Sequence, residues 1–490
     1  MQHRYNIRKI LLLAVAPVAL AAGGCDKLLD IDQPISSITT AKVFDSNEKA
    51  ISAMAGIYTK MVNGEQVEEP AFSSIGGGVV SILAAMSADD YRFAQTNNRP
   101  VQDFAANRLS REMSSSVTYK MWEAAYKNIY DANAVLEGIA ASTSAKLTSD
   151  VRVRLTGEAK FIRAFVYFQM VNLFGDVPLV LTTNFNETRL MPKTPAVQVW
   201  AQIRTDLQQA VELLDEDYGT QSGERIKPNK STAKAMLARV YLYDQNWPGA
   251  ATLAKEVIEN ANYALAGQPG DVFLKNSPEA IWQLKQDAAH RYIGNASAEG
   301  SQLLPTPLAT GGLYWYLTDE LLAAFEPGDL RKAQWSGPNT FTGTVKYYPY
   351  KYKTGKHSAV AGGELTEYNM MVRLAEVYLI RAEAVLKGSR DKTEALRLVN
   401  LLRARAGLTE PLPATLTDAE VEAAVMHERR VELFGEWGHR WMDLRRTGAA
   451  RAVLSACSWK QPWAGDYQFL YPIPHNEMLN NPNLQQNPGY

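Results

Sequence analysis

Residues 373–407 read RLAEVYLIRAEAVLKGSRDKTEALRLVNLLRARAG, and the fold turns on this stretch. In its first half Leu374, Val377, Tyr378, Arg381, Ala382 and Val385 are spaced three, one, three, one and three residues apart, which sets them on one face of a helix. In the second half Ala395, Leu398, Val399, Leu402 and Ala406 repeat the pattern until Gly407 stops it. Gly388-Ser389-Arg390 separates the two runs. Ala375, Ala382, Ala384 and Ala395 are small where two helices would cross, so the backbones can approach closely. The stretch predicts an antiparallel helical hairpin.

Working outward, helical runs are predicted at Pro195–Leu214, Asn229–Tyr243 and Trp247–Asn260. The last two form a second hairpin, with Ala235, Ala238, Ala250 and Ala254 at the crossings and Pro248 in a first turn, where a missing N–H costs nothing. Two hairpins of one design point to tetratricopeptide (TPR)-like repeats, but their separation departs from a tandem period of about 34 residues, so the array is interrupted. Nearer the N-terminus, Ile51, Met54, Tyr58 and Met61 form a stripe ending near Gly64, preceded by Asp45 and Glu48 as a capping pair. Residues 65–115 read as polar and irregular. Further helices are expected at Ser115–Ile139 and Val151–Phe174; the second carries Phe161, Ala164, Phe165, Phe168 and Val171 on one face and stops at Gly175 and Pro178. Thr417-Asp418-Ala419-Glu420 is a capping box for a helix running into Glu428–Leu433, and the tail from Tyr471 is proline-punctuated and extended. The fold class is all-α: a scaffold of helical hairpins.

The interruption is 262–366. Glycine is 12 of these 105 residues against 32 of 490 overall, so its helices should be few and short. Aromatics gather at Tyr314-Trp315-Tyr316, at Trp335 and at Tyr347–Tyr352. A structureless loop of this length is improbable in a compact domain, so a loop-rich, aromatic-rich subdomain packed on the helices is expected.

Apolar residues are 46% and charged residues 21% of the chain, an ordinary globular balance, and the formal net charge is −1. Without residues 1–24, which hold Arg4, Arg8 and Lys9 but no acid, 48 basic residues face 52 acidic ones. That excludes a polyanion binder such as a nucleic-acid protein. Arg4, Arg8 and Lys9 precede the 13-residue apolar run Ile10–Ala22, too short for a comfortable membrane span and suited to a signal peptide. The run leads to Ala22-Gly23-Gly24-Cys25, which resembles a bacterial lipobox. Cys25 is therefore the expected lipidation site, palmitate-bearing, and the lipid the expected membrane anchor. With Cys25 acylated, Cys457 has no intrachain disulfide partner and reads as a small buried hydrophobe.

Segments along the whole chain resemble the SusD/RagB family of outer-membrane lipoproteins. They are Cys25–Asp30 (CDKLLD), Gly56–Tyr58, the run from Arg163 to Phe174–Leu179 (FGDVPL), Ala238–Tyr243 (ARVYLY), Glu279–Trp282 (EAIW), Leu374–Ala384, Asn400–Gly407 (NLLRARAG), Glu428–Leu433 (ERRVEL), Arg440–Arg445 (RWMDLR), Tyr471–Pro474 (YPIP) and the ending Asn481–Tyr490. The resemblance implies a mainly helical, SusD-like fold with about four TPR units. It also implies a non-catalytic binder of glycans, or in some members peptides, that partners a SusC-like TonB-dependent transporter. Asp26, just after the lipidated cysteine, fits export to the extracellular face. The expected organisation is a signal peptide at 1–24, a lipidated tether at 25–40, an N-terminal SusD-like region at 41–261, the insertion at 262–366 and a C-terminal SusD/RagB region at 367–490.

Sugar binding needs flat apolar faces for C–H groups and polar groups at the rim. Two stretches off the helices offer both. Asp89–Asn98 (DDYRFAQTNN) supplies Asp90, Tyr91, Arg92 and Asn98, with an ion pair holding the loop as the competing role for Asp90 and Arg92. The insertion supplies Tyr314, Trp315, Tyr316 and Trp335, with subdomain core as the competing role. Glu428 and Glu432 share a helix face as a glycosidase pair could, yet Arg429 and Arg430 interleave with them and Arg381, Arg403 and Arg405 lie nearby, so an ion-pair network is expected instead. Hydrolase, zincin and phosphate-loop patterns are missing and the histidines lack ligand spacing, so no enzyme, cofactor or metal is expected. The alternative to a nutrient binder is a TPR docking scaffold for protein, which would use the concave helical groove.

Overall fold

The opening stretch folds as two helices, Leu374–Gly388 and Lys392–Arg405. Between them Arg390 takes a left-handed φ of 58°, and the Asp391 side chain accepts the backbone N–H of Glu394 at 3.0 Å, starting the second helix. The computed structural model describes residues 43–64, 74–95, 98–110, 115–219, 223–306, 312 and 314–490. The expected leader, the tether and Cys25 lie outside these.

Among the described residues the scaffold helices are α1 Asn47–Asn63, α2 Ser115–Ala141, α3 Ser149–Phe174, α4 Ala196–Leu213, α5 Lys230–Tyr243, α6 Trp247–Ile258, α7 Leu374–Gly388, α8 Lys392–Arg405 and α9 Asp418–Leu433. Each packs on the next, from α1 on α2 through α7 on α8, and α9 packs on both α7 and α8. The array interrupted in sequence is thus continuous in space, because α6 packs directly on α7. Small residues close that joint. Ala250, Ala254 and Ala382 are fully buried, and a Cβ on Gly388 would lie 2.8 Å from Trp247 Cβ. The Thr417–Glu420 capping box forms as expected. At α1 the N-cap is Ser46, without a side-chain cap bond, while Asp45 pairs with Lys49 at 2.8 Å; the expected Asp45–Glu48 cap is corrected to this.

Two departures matter for the site. First, 74–91 is wholly buried and contains the turn Ile75–Val79 and the helix Val80–Ser87, where an irregular polar segment was expected. An eight-residue helix buried on every side, with only Ser81 and Ser87 among its apolar residues, has no solvent-facing polar stripe and hence no period to read. Gly438 lets it sit close, since a Cβ there would come within 2.8 Å of Ala84 Cβ. Second, strand β2 (Ala280–Leu284) pairs antiparallel with β4 (Asn369–Arg373), so a buried two-stranded sheet straddles the expected boundary at 366/367 and runs straight into α7. Trp282 on β2 meets Phe161 and Phe165 of α3 edge-on, at centroid distances of 5.1 and 5.3 Å, which ties the inserted segment to the helical array.

Behind this sheet lies a buried ion cluster. Arg331 donates to Glu428 (2.5 Å) and Glu432 (2.8 Å) and holds Asp329; Arg373 donates to Glu432 (2.6 Å) and Glu436 (2.7 Å); Arg405 reaches Glu279 (2.9 Å) and Glu432. The expected network around Glu428 and Glu432 is present with a partly different membership. Arg381 pairs with Glu394, Arg429 with Asp443 and Arg430 with Asp89, while Arg331 and Arg373 arrive from distant segments.

Candidate ligand-binding cleft

Strand β1 (Tyr91–Phe93) pairs antiparallel with β3 (Trp315–Leu317), matching Tyr91 with Leu317, Arg92 with Tyr316 and Phe93 with Trp315. Alternation along a strand puts Tyr91, Phe93, Trp315 and Leu317 on one face and Arg92 and Tyr316 on the other. The inner end of the first face joins the core. At the outer end the rings of Phe93 and Trp315 lie 4.6 Å apart, inclined at 40°. They form the floor of a cleft of about 440 Å³. Tyr314, Leu304 and Val101 complete its apolar walls; Gln95, Asn98, Gln302, Ser301 and Thr306 supply amides and hydroxyls; Lys356 and His357 stand at the mouth. Such a lining can stack against the C–H face of a flat solute and bond its hydroxyls.

The segment bearing β1 is pinned from several sides. The Lys460 ammonium donates to Met86 O (3.0 Å), Ser87 O (3.0 Å) and Ala105 O (2.8 Å), satisfying carbonyls at the ends of helices Val80–Ser87 and Arg99–Ala106 that flank it. The Asp89 carboxylate takes two hydrogen bonds from Arg440 and lies 2.7 Å from Arg430. Thr318, just past β3, donates its hydroxyl to Asp89 O (2.6 Å) and its N–H to Asp90 O (2.9 Å). Burial alone would raise the Asp89 carboxyl, but Arg440 and Arg430 more than offset it and leave it below the ordinary range. At Asp90 burial wins over Arg430 and pushes the carboxyl up to about 6.

The residues singled out in the sequence are thereby sorted. Asn98, Tyr314 and Trp315 line the cleft together, although Trp315 is only 3% exposed. Arg92 and Tyr316 lie on the other face of the ribbon, where the Arg92 guanidinium sits 5.0 Å from the Trp459 ring centre and Lys346 Nζ 5.1 Å from that of Tyr316. Three expectations are corrected. Asp90 (0% exposed) faces Arg430 and holds the loop; Tyr91 (1%) is core; Trp335 (0%) donates its indole N–H to Pro269 O at 2.9 Å and lies under Lys351, 4.5 Å from its ring. In each case burial of the side chain leaves no face for a solute. Phe93 and Gln95 belong to the quoted loop and share the Tyr91 alternation, so period two could have found them. Ser301, Gln302, Lys356 and His357 carry no local signal.

Among the described residues no group of three or more His, Cys, Asp or Glu side chains is placed to hold a metal ion, and no helix is long and apolar enough to cross a membrane. Glu428 and Glu432 are buried against Arg331, away from the cleft.

Fold and cleft together define a class: a helical-repeat scaffold that presents an aromatic, amide-rimmed cleft on its loops. The family model described as "SusD family" matches residues 328–490, and one described as "Starch-binding associating with outer membrane" matches residues 27–242. The chain belongs to the SusD family. It is 27% identical to SusD-like protein P2 of Formosa agariphila over 99% of this chain and 100% of that one. A SusD superfamily protein from Bacteroides vulgatus has a similar fold, with a TM-score of 0.75 at 21% identity over 91% of this chain and all of the other. So does a protein described as a laminarin binding SusD-like protein, with a TM-score of 0.74 at 24% identity and the same coverage. The mainly helical, TPR-like, SusD-like fold expected from the sequence is the one found.

Proposed function

We propose that this chain is a non-catalytic lipoprotein of the outer membrane that binds an oligo- or polysaccharide in the Phe93–Trp315 cleft and delivers it to a SusC-like TonB-dependent transporter. The observation that carries this reading is the aromatic floor of the cleft, with Tyr314 beside it and the amides of Gln95, Asn98 and Gln302 at the rim. A sugar ring requires that pairing of apolar face and hydrogen-bonding edge. The starch-binding description of the family model and the laminarin-binding relative support a glycan as the nutrient. The cleft is made by loops and short elements outside the helical array, which favours nutrient binding over a scaffold that docks protein in its helical groove. Anchoring follows from lipid on Cys25, on the extracellular face.

The test is native gel electrophoresis of the full chain, kept in detergent, through gels cast with a panel of polysaccharides. Retardation by at least one glycan, with no oligosaccharide products on incubation, is the expected result. Unretarded migration across the panel together with binding of peptides, or release of sugar products, would overturn the reading. Cys25→Ser should shift the chain from the membrane to the soluble fraction.

A further inference from the structure

Away from the cleft, helix α2 forms the floor of a groove of about 520 Å³. Tyr126 and Tyr130 lie one turn apart on that floor, and Val180, Phe185, Met191 and Leu484 close the sides. The walls are fixed to the floor and to each other. Tyr126 donates its hydroxyl to Pro178 O (2.8 Å), Asn133 its amide to Val180 O (3.0 Å) and Thr183 its N–H to Glu137 Oε1 (2.9 Å), which stitches the stretch after Pro178 along α2. Asn481 and Asn483 donate to Met191 O and Leu190 O, each at 2.8 Å, and so join the C-terminal tail to the same wall. The groove is therefore preformed.

Among the described residues twelve large apolar side chains are exposed, and five of them gather here. Phe185 (72%) and Tyr130 (53%) line the groove, and Leu181, Leu190 and Leu479 (68%) each adjoin a lining residue in sequence. Apolar side chains exposed singly are ordinary, whereas a group of them marks an interaction surface. The start of the described chain stands beside it. Phe44 is wedged on α2, its ring filling the space that a Cβ on Gly138 would need, and Ser142 donates its hydroxyl to Phe44 O at 2.6 Å. Val43 and Phe44 line a smaller hollow of about 280 Å³ that shares Lys60, Tyr130 and Asp131 with the groove. The chain upstream of Val43 thus departs at the edge of the exposed patch.

Residues 26–42 read DKLLDIDQPISSITTAK and hold five large aliphatic side chains, Leu28, Leu29, Ile31, Ile35 and Ile38. A linker that stays in water is polar throughout, so these five call for a surface to rest on. Extended at about 3.3 Å per residue, residues 35–42 alone reach about 26 Å, against about 12 Å of α2 between Trp122 and Tyr130 at about 1.5 Å per residue. We propose that the groove seats the chain's own residues 26–42, whose aliphatic side chains cover Tyr130 and Phe185. Two apolar surfaces then leave water together. The segment acts as a strap that sets how far the helical body stands from residue 25, independently of what the Phe93–Trp315 cleft binds.

Hydroxyl-radical footprinting of the full chain in detergent, read by mass spectrometry, measures solvent access to Tyr130, Phe185 and Leu479. The variant L28S/L29S/I31S/I35S/I38S alters the segment alone. A seated segment slows oxidation beneath it in proportion to the fraction undocked, so the three residues should react about threefold or more faster in this variant than in the parent chain. In the reciprocal variant F185D/L479D, Leu28, Leu29, Ile31, Ile35 and Ile38 should become more reactive by a similar factor. Both replaced side chains are largely exposed, so the fold survives the change. Equal oxidation of Phe185 in the parent and the serine variant overturns the proposal, whether the groove lies open or detergent fills it. Protection that falls away on dilution places the segment on a second copy of the chain and overturns it as well. Protection of the five aliphatic residues that survives F185D/L479D overturns the assignment to this groove.

Discussion

Arg440 grips Asp89 at two points, Nε donating to Oδ1 at 2.8 Å and Nη2 to Oδ2 at 3.1 Å. The pair joins the helix His439–Arg446 to the residue from which the β1 segment departs, so a contact remote from the cleft positions its floor. Arg440→Met should leave Asp89 with Arg430 alone and destabilise the fold by about 2–4 kcal/mol, because one partner of a largely buried pair is lost. Urea denaturation measures this. Glycan affinity should fall as well, although Arg440 touches no ligand.

Tyr314 and Trp315 are neighbours in sequence with different dependencies. Tyr314 is half-buried at the cleft, and Tyr314→Ala should weaken glycan binding about tenfold, roughly 1.4 kcal/mol, with little change in melting temperature. Trp315 is nearly all buried, so Trp315→Ala should cost about 3–5 kcal/mol of stability in addition to its effect on binding. Calorimetry and thermal melts on both variants separate contact from support. Equal loss of stability in the two would refute the distinction.

Glu432 is the hub of the buried ion cluster, meeting Arg331, Arg373 and Arg405. Burial by itself would raise its carboxyl, but Arg405, Arg373 and Arg331 outweigh that and hold it well below the usual range. A lowered carboxyl lends stability that is present above its unfolded value near 4.5 and lost as pH falls below it. Glu432→Leu leaves three buried guanidinium groups short of an anion and should destabilise by about 3–5 kcal/mol at pH 7. A loss under 1 kcal/mol in chemical denaturation would contradict this.

Glu299 behaves in the opposite sense. Burial pushes its carboxyl up to about 8, against the Ser81 hydroxyl that donates to Oε1 at 2.7 Å, so it is protonated in the folded chain at neutral pH. Its contribution is therefore present below about pH 4.5 and is lost as pH rises through 8. Glu299→Gln removes that titration. Its stability relative to the parent chain should improve by a few kcal/mol between pH 5 and pH 8.5. Parallel stability curves for the two proteins would show that the group titrates alike folded and unfolded.

The helical scaffold could be read directly from the chain because its signals are local. A stripe such as Leu374–Val385, a capping box such as Thr417–Glu420 and a stop such as Gly407 each act within a few turns of their own backbone. The family segments, spread from Cys25 to Tyr490, were legible in the same way. The cleft was legible only in part. Asn98, Tyr314 and Trp315 could be chosen as aromatic or amide residues off the helices, but nothing local separates them from Trp335 or Tyr91, which have the same chemistry and lie in the core. That difference arises from long-range pairing: Thr318 binds Asp89 across 229 residues of sequence, and β1 meets β3 in a register that turns Phe93 toward the cleft and Arg92 away. Sequence by itself determined where the nine scaffold helices form, since 3.6-residue spacing is a property of one segment, but not the buried helix Val80–Ser87, which has no period to read. Tertiary structure alone decided which aromatic faces stay open and where Lys356 and His357 stand, since burial and close approach depend on segments that meet only when the chain has folded.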